Sequence, residues 1–375
     1  MKEVNKTYKF RLYPNVEQEI LLAKHFGCVR WVYNHFLNER KEQYLESGES
    51  DNYYAQAKTL TNLKKQDETK WLKEVNSQTL QFALRCLDTA YKNFFRGNAQ
   101  FPRFKSKSHK QSFTVPQNGK IIDGKLSIPK FKTDIPLNMH RDVEGDIGKM
   151  AISKTANGKY YVSIFTMQNV KELPKTGKSV GVDLGLKDYA ITSDGTKYAN
   201  HRYLKRYERK LAKAQQHLSR KKKGSNSYEN QRRKVAQLHE KVSNSRKDRL
   251  HKISKQLIED YDVIVIEDLN VKGMVKNRKL SKHIADASWG TFTTYLSYKC
   301  NWYGKKLVKV DRFFPSSKMC HHCGWIKQDL ALQDREWTCD QCNKTLDRDF
   351  NAAKNILSAG TVDYKGGEKI RPGLN

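Results

Sequence analysis

Four cysteines in the last sixth of the chain stand as Cys320-x-x-Cys323 and Cys339-x-x-Cys342, two knuckles 15 residues apart. Four thiolates at that spacing suit a tetrahedral zinc site that one small hairpin can close. Disulfide pairing is the competing use, and an intracellular setting disfavours it. His321 and His322 adjoin the first knuckle. Four sulfurs already fill a tetrahedron, so both histidines are read as non-ligands. Cys28, Cys86 and Cys300 lie in apolar helical surroundings and are expected to be buried thiols.

Three acids offer a different chemistry. Asp183 lies inside VGVDLG, Glu267 follows the apolar run VIVI, and Asp349 sits in LDRDFNAA at the head of a helical stretch. A carboxylate at the end of a core element is a costly guest unless a cation or hydrogen bonds satisfy it. Two Mg²⁺ ions held by such a set can activate water and stabilise the leaving oxygen of a phosphodiester. The acids are 84 and 82 residues apart, so only a sheet can unite them. Asp188, Asp268 and Asp347 are rivals. If its strand continues, Asp268 faces away from Glu267. Asp347 is placed to cap the last helix.

The elements that must position these groups follow from periodicity. TYKFRLYP alternates as a strand, and Pro14 ends it. Helical patterns run over about 17–46, 53–66 and 76–96. The first carries Ile20, Leu21, Phe26, Val29, Trp31, Val32, Phe36 and Leu37. The third carries Leu80, Leu84, Leu87, Phe94 and Phe95 at core spacing. Residues 112–168 read as short strands that, with the opening strand, form a small barrel interrupted by the helices. The stretch 171–179, rich in Pro, Gly and Lys, marks a boundary. A buried strand and a hairpin follow it. Residues 201–260 form a helical hairpin broken at Gly224, with 19 Lys/Arg against 6 Asp/Glu. The run at 261–270 is a central strand of parallel-sheet type. Residues 288–303 are an amphipathic helix, a strand precedes the knuckles, and the last helix runs from Asp349 to Gly360.

Composition narrows the function. The 375 residues hold 71 Lys and Arg against 40 Asp and Glu, a net charge of +31. No apolar run is long enough to span a membrane, and the N-terminus lacks a signal-peptide core, so a cytoplasmic protein is expected. The excess charge is spread over nearly the whole chain, which favours nucleic acid over an anionic membrane patch. In FPRFKSKSHKQSF, Arg103, Lys105 and Lys107 alternate with rings. This segment reads equally as a phosphate-holding, base-stacking strand and as a basic linker anchored by two rings. In the hairpin, Lys221, Lys222, Lys223, Arg232 and Arg233 are further candidates for backbone contacts.

Five segments resemble the TnpB family of transposon-encoded RNA-guided nucleases, relatives of type V CRISPR effectors. They are YKFRLYPN, FPRFKSK, VGVDLGLKDYAITSDG, IVIEDLNVKGM, and the stretch from FFPSSKMCHHCGW through TCDQCNKTLDRDFNAAKNIL. The resemblance implies a multidomain α+β and α/β chain. A wedge β-barrel would span 1–14 and 101–170, with a helical recognition lobe at 15–100 inserted in it. An RNase H-like, RuvC-type nuclease domain would span 171–319 and 343–360, include the hairpin 201–260, and carry a four-cysteine zinc ribbon at 320–342. Residues 361–375 would be a flexible tail. It further implies catalytic, Mg²⁺-holding acids at Asp183, Glu267 and Asp349, and structural Zn²⁺ on Cys320, Cys323, Cys339 and Cys342. The partners would be a guide RNA and double-stranded target DNA, cut beside a short flanking motif in a prokaryotic cytoplasm near the nucleoid. Arg348 would neutralise the scissile phosphate or pack beside it. A silent RNA-guided DNA binder, a guide-free transposase and a non-enzymatic zinc-containing nucleic-acid binder are the rival readings.

Overall fold

The computed structural model describes residues 1–331 and 333–365, with side chains described to Thr361. The chain forms two compact units. One is Glu3–Asn169; the other runs from Val170 onward and includes Met1 and Lys2.

The first unit opens with β1 (Lys2–Leu12), then α1 (Val16–Ser47), α2 (Tyr53–Leu63), a 3₁₀ turn at Lys70–Glu74, and α3 (Ser77–Phe95). Asn15 starts α1 with a capping box: its side chain accepts from the Gln18 amide, and the Gln18 side chain accepts from the Asn15 amide. Six strands follow: β2 (Gln111–Val115), β3 (Lys120–Ile122), β4 (Lys125–Ser127), β5 (Ile135–Asn138), β6 (Asp146–Lys154) and β7 (Tyr160–Val170). They pair in the order β2-β6-β7-β1-β5-β4-β3. The sheet curls into a half-barrel, with β2 and β3 as its open edges. Alternation on β7 puts Tyr160, Val162 and Ile164 inward, and these join Phe26, Val32, Phe36, Leu80 and Leu84 of the helices in one core. His25 stacks on Phe113, donates from Nδ1 to the Leu21 carbonyl and accepts the Asn76 amide on Nε2. That pattern belongs to the neutral ring, and burial lowers its pKa accordingly. Three packing expectations fail. Ile20 and Phe95 are exposed, and Cys86 lies on the exposed side of α3. Helical spacing repeats approximately, and these positions have drifted round to the solvent side.

The second unit holds β8 (Ser179–Leu184), β9 (Asp188–Thr192), β10 (Lys197–Ala199), α4 (Tyr203–Ser219), α5 (Asn226–Asp260), β11 (Val263–Glu267), α6 (Val271–Met274), α7 (Ser281–Ala287), α8 (Trp289–Tyr303), β12 (Lys306–Val310), β13 (Glu336–Thr338), β14 (Thr345–Asp347) and α9 (Arg348–Lys365). The last helix thus runs five residues past Gly360, and the expected tail beyond 365 lies outside the described residues. Five strands pair in the order β10-β9-β8-β11-β12. The β8, β9 and β10 run is antiparallel, whereas β8, β11 and β12 are parallel. Gly195 makes the β9–β10 turn at φ +94°, where a side chain would be strained. Gly224, at φ +85°, separates α4 from α5.

Both faces of this sheet are covered, which is why its central strands are continuously apolar. Val180, Val182, Ile264 and Ile266 pack with Leu250, Ile253, Leu257, Phe292 and Leu296 from α5 and α8. The alternate residue Val265 packs with Ile356 of α9. Helix α9 lies very close to the sheet: a Cβ at Gly181 would overlap the Ala353 carbonyl oxygen, and one at Gly360 would overlap Val265. Gly181→Ala should therefore force α9 outward and cost at least ~1–3 kcal/mol. Thermal denaturation of the variant should show a clear drop in Tm against the parent chain; an unchanged Tm would show that this approach is not tight.

Candidate active site

The parity that buries the sheet also aims the acids. Val182 pairs with Ile266 across the parallel strands β8 and β11. Asp183 and Glu267 each follow by one residue, so they lie side by side on the face opposite Val182 and Ile266, the face that α9 covers. Asp349 enters from the first turn of α9. The site thus sits at the carboxyl ends of β8 and β11, where open α/β sheets place their ligands.

Electrostatics tie the three together. Asp183 is partly open as a residue, but its carboxyl group is deeply buried. Burial pushes its pKa up to about 8; the charges of Glu267 and Asp349 push the same way, and Arg348 opposes them. Burial likewise raises Glu267, opposed by a hydrogen bond from the Ser316 hydroxyl to Oε1. Asp349 pairs with Arg335 at 3.4 Å. Among the described residues, the four thiols alone bring three or more ligand atoms within 4.8 Å of one another.

The rival acids have other employment. Asp268 pairs with Arg312 at 2.8 Å and with Lys309 at 3.6 Å. Asp347 accepts the Phe350 amide at 2.9 Å and so caps α9, as its position predicts. Asp188 starts β9 opposite Ala199.

Beside the acids lies the cysteine cluster. Cys320 and Cys342 sulfurs are 3.7 Å apart, and those of Cys323 and Cys339 are 3.5 Å apart. A tetrahedron of sulfurs ~2.3 Å from a zinc ion has edges of about 3.8 Å, whereas a disulfide would need ~2 Å. All four thiols are free, and the residues fit zinc. His321 and His322 stay outside the cluster, and His322 faces Lys344. The β13–β14 hairpin carries the second knuckle and runs straight into α9.

The basic candidates are scattered. Arg103 bonds to Gln100, and Lys107 is exposed. Lys105 lays its ammonium 3.8 Å from the Tyr33 ring centre, and the desolvation lowers its pKa. Its backbone amide and carbonyl both pair with Asn34, while Phe101 and Phe104 are 41% and 48% exposed. Lys222, Lys223 and Arg233 are exposed, Lys221 is half-buried, and Arg232 pairs with Glu229 at 2.8 Å. Arg348 donates its guanidinium to the carbonyls of Ala331 at 2.6 Å and Asp334 at 3.4 Å. Sequence reasoning missed Ser316, Arg335, Asn351 and Asn355. The asparagines left a faint signal, two amides four residues apart on an otherwise apolar helix face.

Comparison with known proteins closes the identification. The chain is 39% identical to a Streptomyces pristinaespiralis protein named "Putative RNA-guided DNA endonuclease", over 99% of this chain and 93% of the relative. The chain belongs to the TnpB/OrfB family. An Escherichia coli K12 relative, InsQ, described in the same words, is 33% identical over 98% of this chain and 95% of its own. Family models match at residues 162–278 (probable transposase), 289–356 (Cas12f1-like, TNB domain) and 1–49 (helix-turn-helix domain). In this TnpB-family chain, residues 1–49 hold one strand and one long helix. Among solved structures, the chain is similar to Cas12f1 in its complex with sgRNA and target DNA, at TM-score 0.58 and 13% identity, covering 95% of this chain and 99% of that one. That likeness shows a shared fold.

Two outcomes follow from the site's charge and sulfur. A carboxyl raised from 3.8 to about 8 keeps its proton in the folded state after the unfolded chain has lost it. Without divalent cations, stability should therefore fall as pH rises between those two values. Asp183→Asn should flatten that slope and raise Tm at pH 8, measurable by thermal melts across pH. Cys320→Ser should lower the zinc content found by elemental analysis and loosen residues 320–347 to proteolysis; unchanged zinc would show that the cluster is not its site.

Proposed function

We propose that this chain is an RNA-guided, Mg²⁺-dependent DNA endonuclease of a prokaryotic insertion sequence, working in the cytoplasm beside chromosomal DNA. The observation that carries the reading is the buried Asp183 carboxyl, raised by burial and by two facing carboxylates on the one sheet face that α9 closes. A lone cluster of that kind is an electrostatic liability, and hard divalent cations relieve it. Asp183, Glu267 and Asp349 would hold them, and their oxygens are the donor type that Mg²⁺ prefers. Bound there, two such cations supply an activated water and neutralise the departing oxygen of the cut strand.

The chain's own residues do the rest. Ser316 orients Glu267 through its hydroxyl. Arg335, half exposed and paired with Asp349, is placed to trade that carboxylate for a phosphate oxygen of the strand being cut. The four-cysteine cluster would hold structural Zn²⁺ and fold the segment that delivers Asp349. The excess positive charge, spread along the chain and including the basic faces of α4 and α5, serves backbone contacts to guide RNA and DNA. Sequence choice falls to base pairing by the guide, and the protein reads a short flanking motif. The named relatives carry the same activity in their descriptions, and no described helix is long and apolar enough to cross a membrane.

Sequencing the RNA that copurifies with the protein should return one discrete species. With that RNA, Mg²⁺ and a matching duplex, both strands should be cut. Asp183→Ala should abolish cutting, by far more than the roughly 10–100-fold that loss of an outer-shell partner costs, while guided DNA binding is retained. Random RNA fragments would favour a guide-free binder, and cleavage surviving Asp183→Ala would remove the acids from the chemistry.

A further inference from the structure

A buried chain of hydrogen bonds leads from the acid site to the first cysteine knuckle. Its first link is the Ser316 hydroxyl, which donates to Glu267 Oε1. Asn355 Nδ2 donates to the Ser316 carbonyl at 2.8 Å and to the Met319 carbonyl at 2.6 Å. Asn351 Nδ2 donates to the same Met319 carbonyl at 2.7 Å, and its Oδ1 accepts the His321 amide at 2.9 Å. His321 follows Cys320 directly, and Cys320 donates its own amide to the Trp325 carbonyl across the knuckle turn. Ser316, Asn351 and Asn355 are 5%, 3% and 1% exposed. Amides this deep in a helix–sheet interface are tolerated only when bonded. Their partners are the backbone groups of residues 316–321, a segment that lies outside the named strands and pairs across the knuckle turn at the isolated Met319–Ile326 bridge.

We infer that Ser316 is a positioning residue for Glu267, set in place by Asn351 and Asn355, so that closure of the four-cysteine cluster fixes one ligand of the Mg²⁺ site. With Oε1 held by the serine hydroxyl, Glu267 has one rotamer fixed and Oε2 left for a cation. A carboxylate ligand oriented by a second hydrogen bond binds its ion more tightly than a free one. The two asparagines stand one turn apart on α9, the same helix that carries Asp349 in its first turn. One rigid element therefore sets both Asp349 and, through Ser316, Glu267. The inference rests on the reading of Glu267 as an ion ligand.

The test compares Ser316→Ala, Asn355→Ala and the double variant, each purified with its RNA. Direct Mn²⁺ titration by calorimetry reads ion affinity, and guided cleavage reads the half-saturating Mg²⁺. Ser316→Ala should weaken both by roughly tenfold while zinc content and Tm match the parent, a pattern that a purely structural serine would not give. The double variant should lose no more than the worse single, because both substitutions break one chain. Unchanged ion dependence in Ser316→Ala overturns the positioning role, and additive losses in the double overturn the link through Asn355. Glu267→Gln separates this from the broader reading. If it still cuts, the ion site itself is misassigned. If it is inactive while Ser316→Ala behaves as the parent, only the positioning role falls.

Discussion

Three carboxylates crowded at the closed end of a sheet repel one another, and the second unit is organised around tolerating that repulsion. Burial is what makes it severe, since charge removed from water interacts through a medium that screens poorly. Asp183 answers by holding its proton up to about pH 8. Arg348 softens the field but commits its guanidinium to the Ala331 and Asp334 carbonyls. Arg335 pairs with Asp349, with half its side chain in solvent. Such an arrangement would be a poor design for stability alone.

Packing brings the elements that carry the acids together. Two apolar layers clamp the strands, one from α5 and α8 and the other from α9. The helix that brings Asp349 reaches the sheet because Gly181 and Gly360 present no Cβ to hold it away. Residues with no charge and no reactivity thus decide whether a charge-based site exists.

Much of this was legible in the chain. The runs around Val180–Val182 and Val263–Ile266 announce buried parallel strands, but the register that puts Asp183 and Glu267 on one face came only from the structure. The knuckle spacing announces the sulfur cluster, and Asp347 reads as a cap. What stayed hidden depends on irregular backbone or close approach. Ser316 and Arg335 sit outside regular helices and strands, so no period predicts where they point. Asn351 and Asn355 matter only because a particular loop passes over them. Cys86 and Phe95 fit a helical stripe on paper, yet that stripe is wider than the surface α3 covers. The half-barrel was readable as short strands, but its two open edges were not, because pairing across a sheet is set by long-range order.

The place of Asp349 at the head of the final helix bears on biosynthesis. The acids span 166 positions from first to last, and the third leaves the ribosome only after both cysteine knuckles have done so. A nascent or prematurely terminated chain thus presents its basic helices well before the third acid of the proposed site exists. Its basic surface is made first, and the proposed acid cluster is completed last.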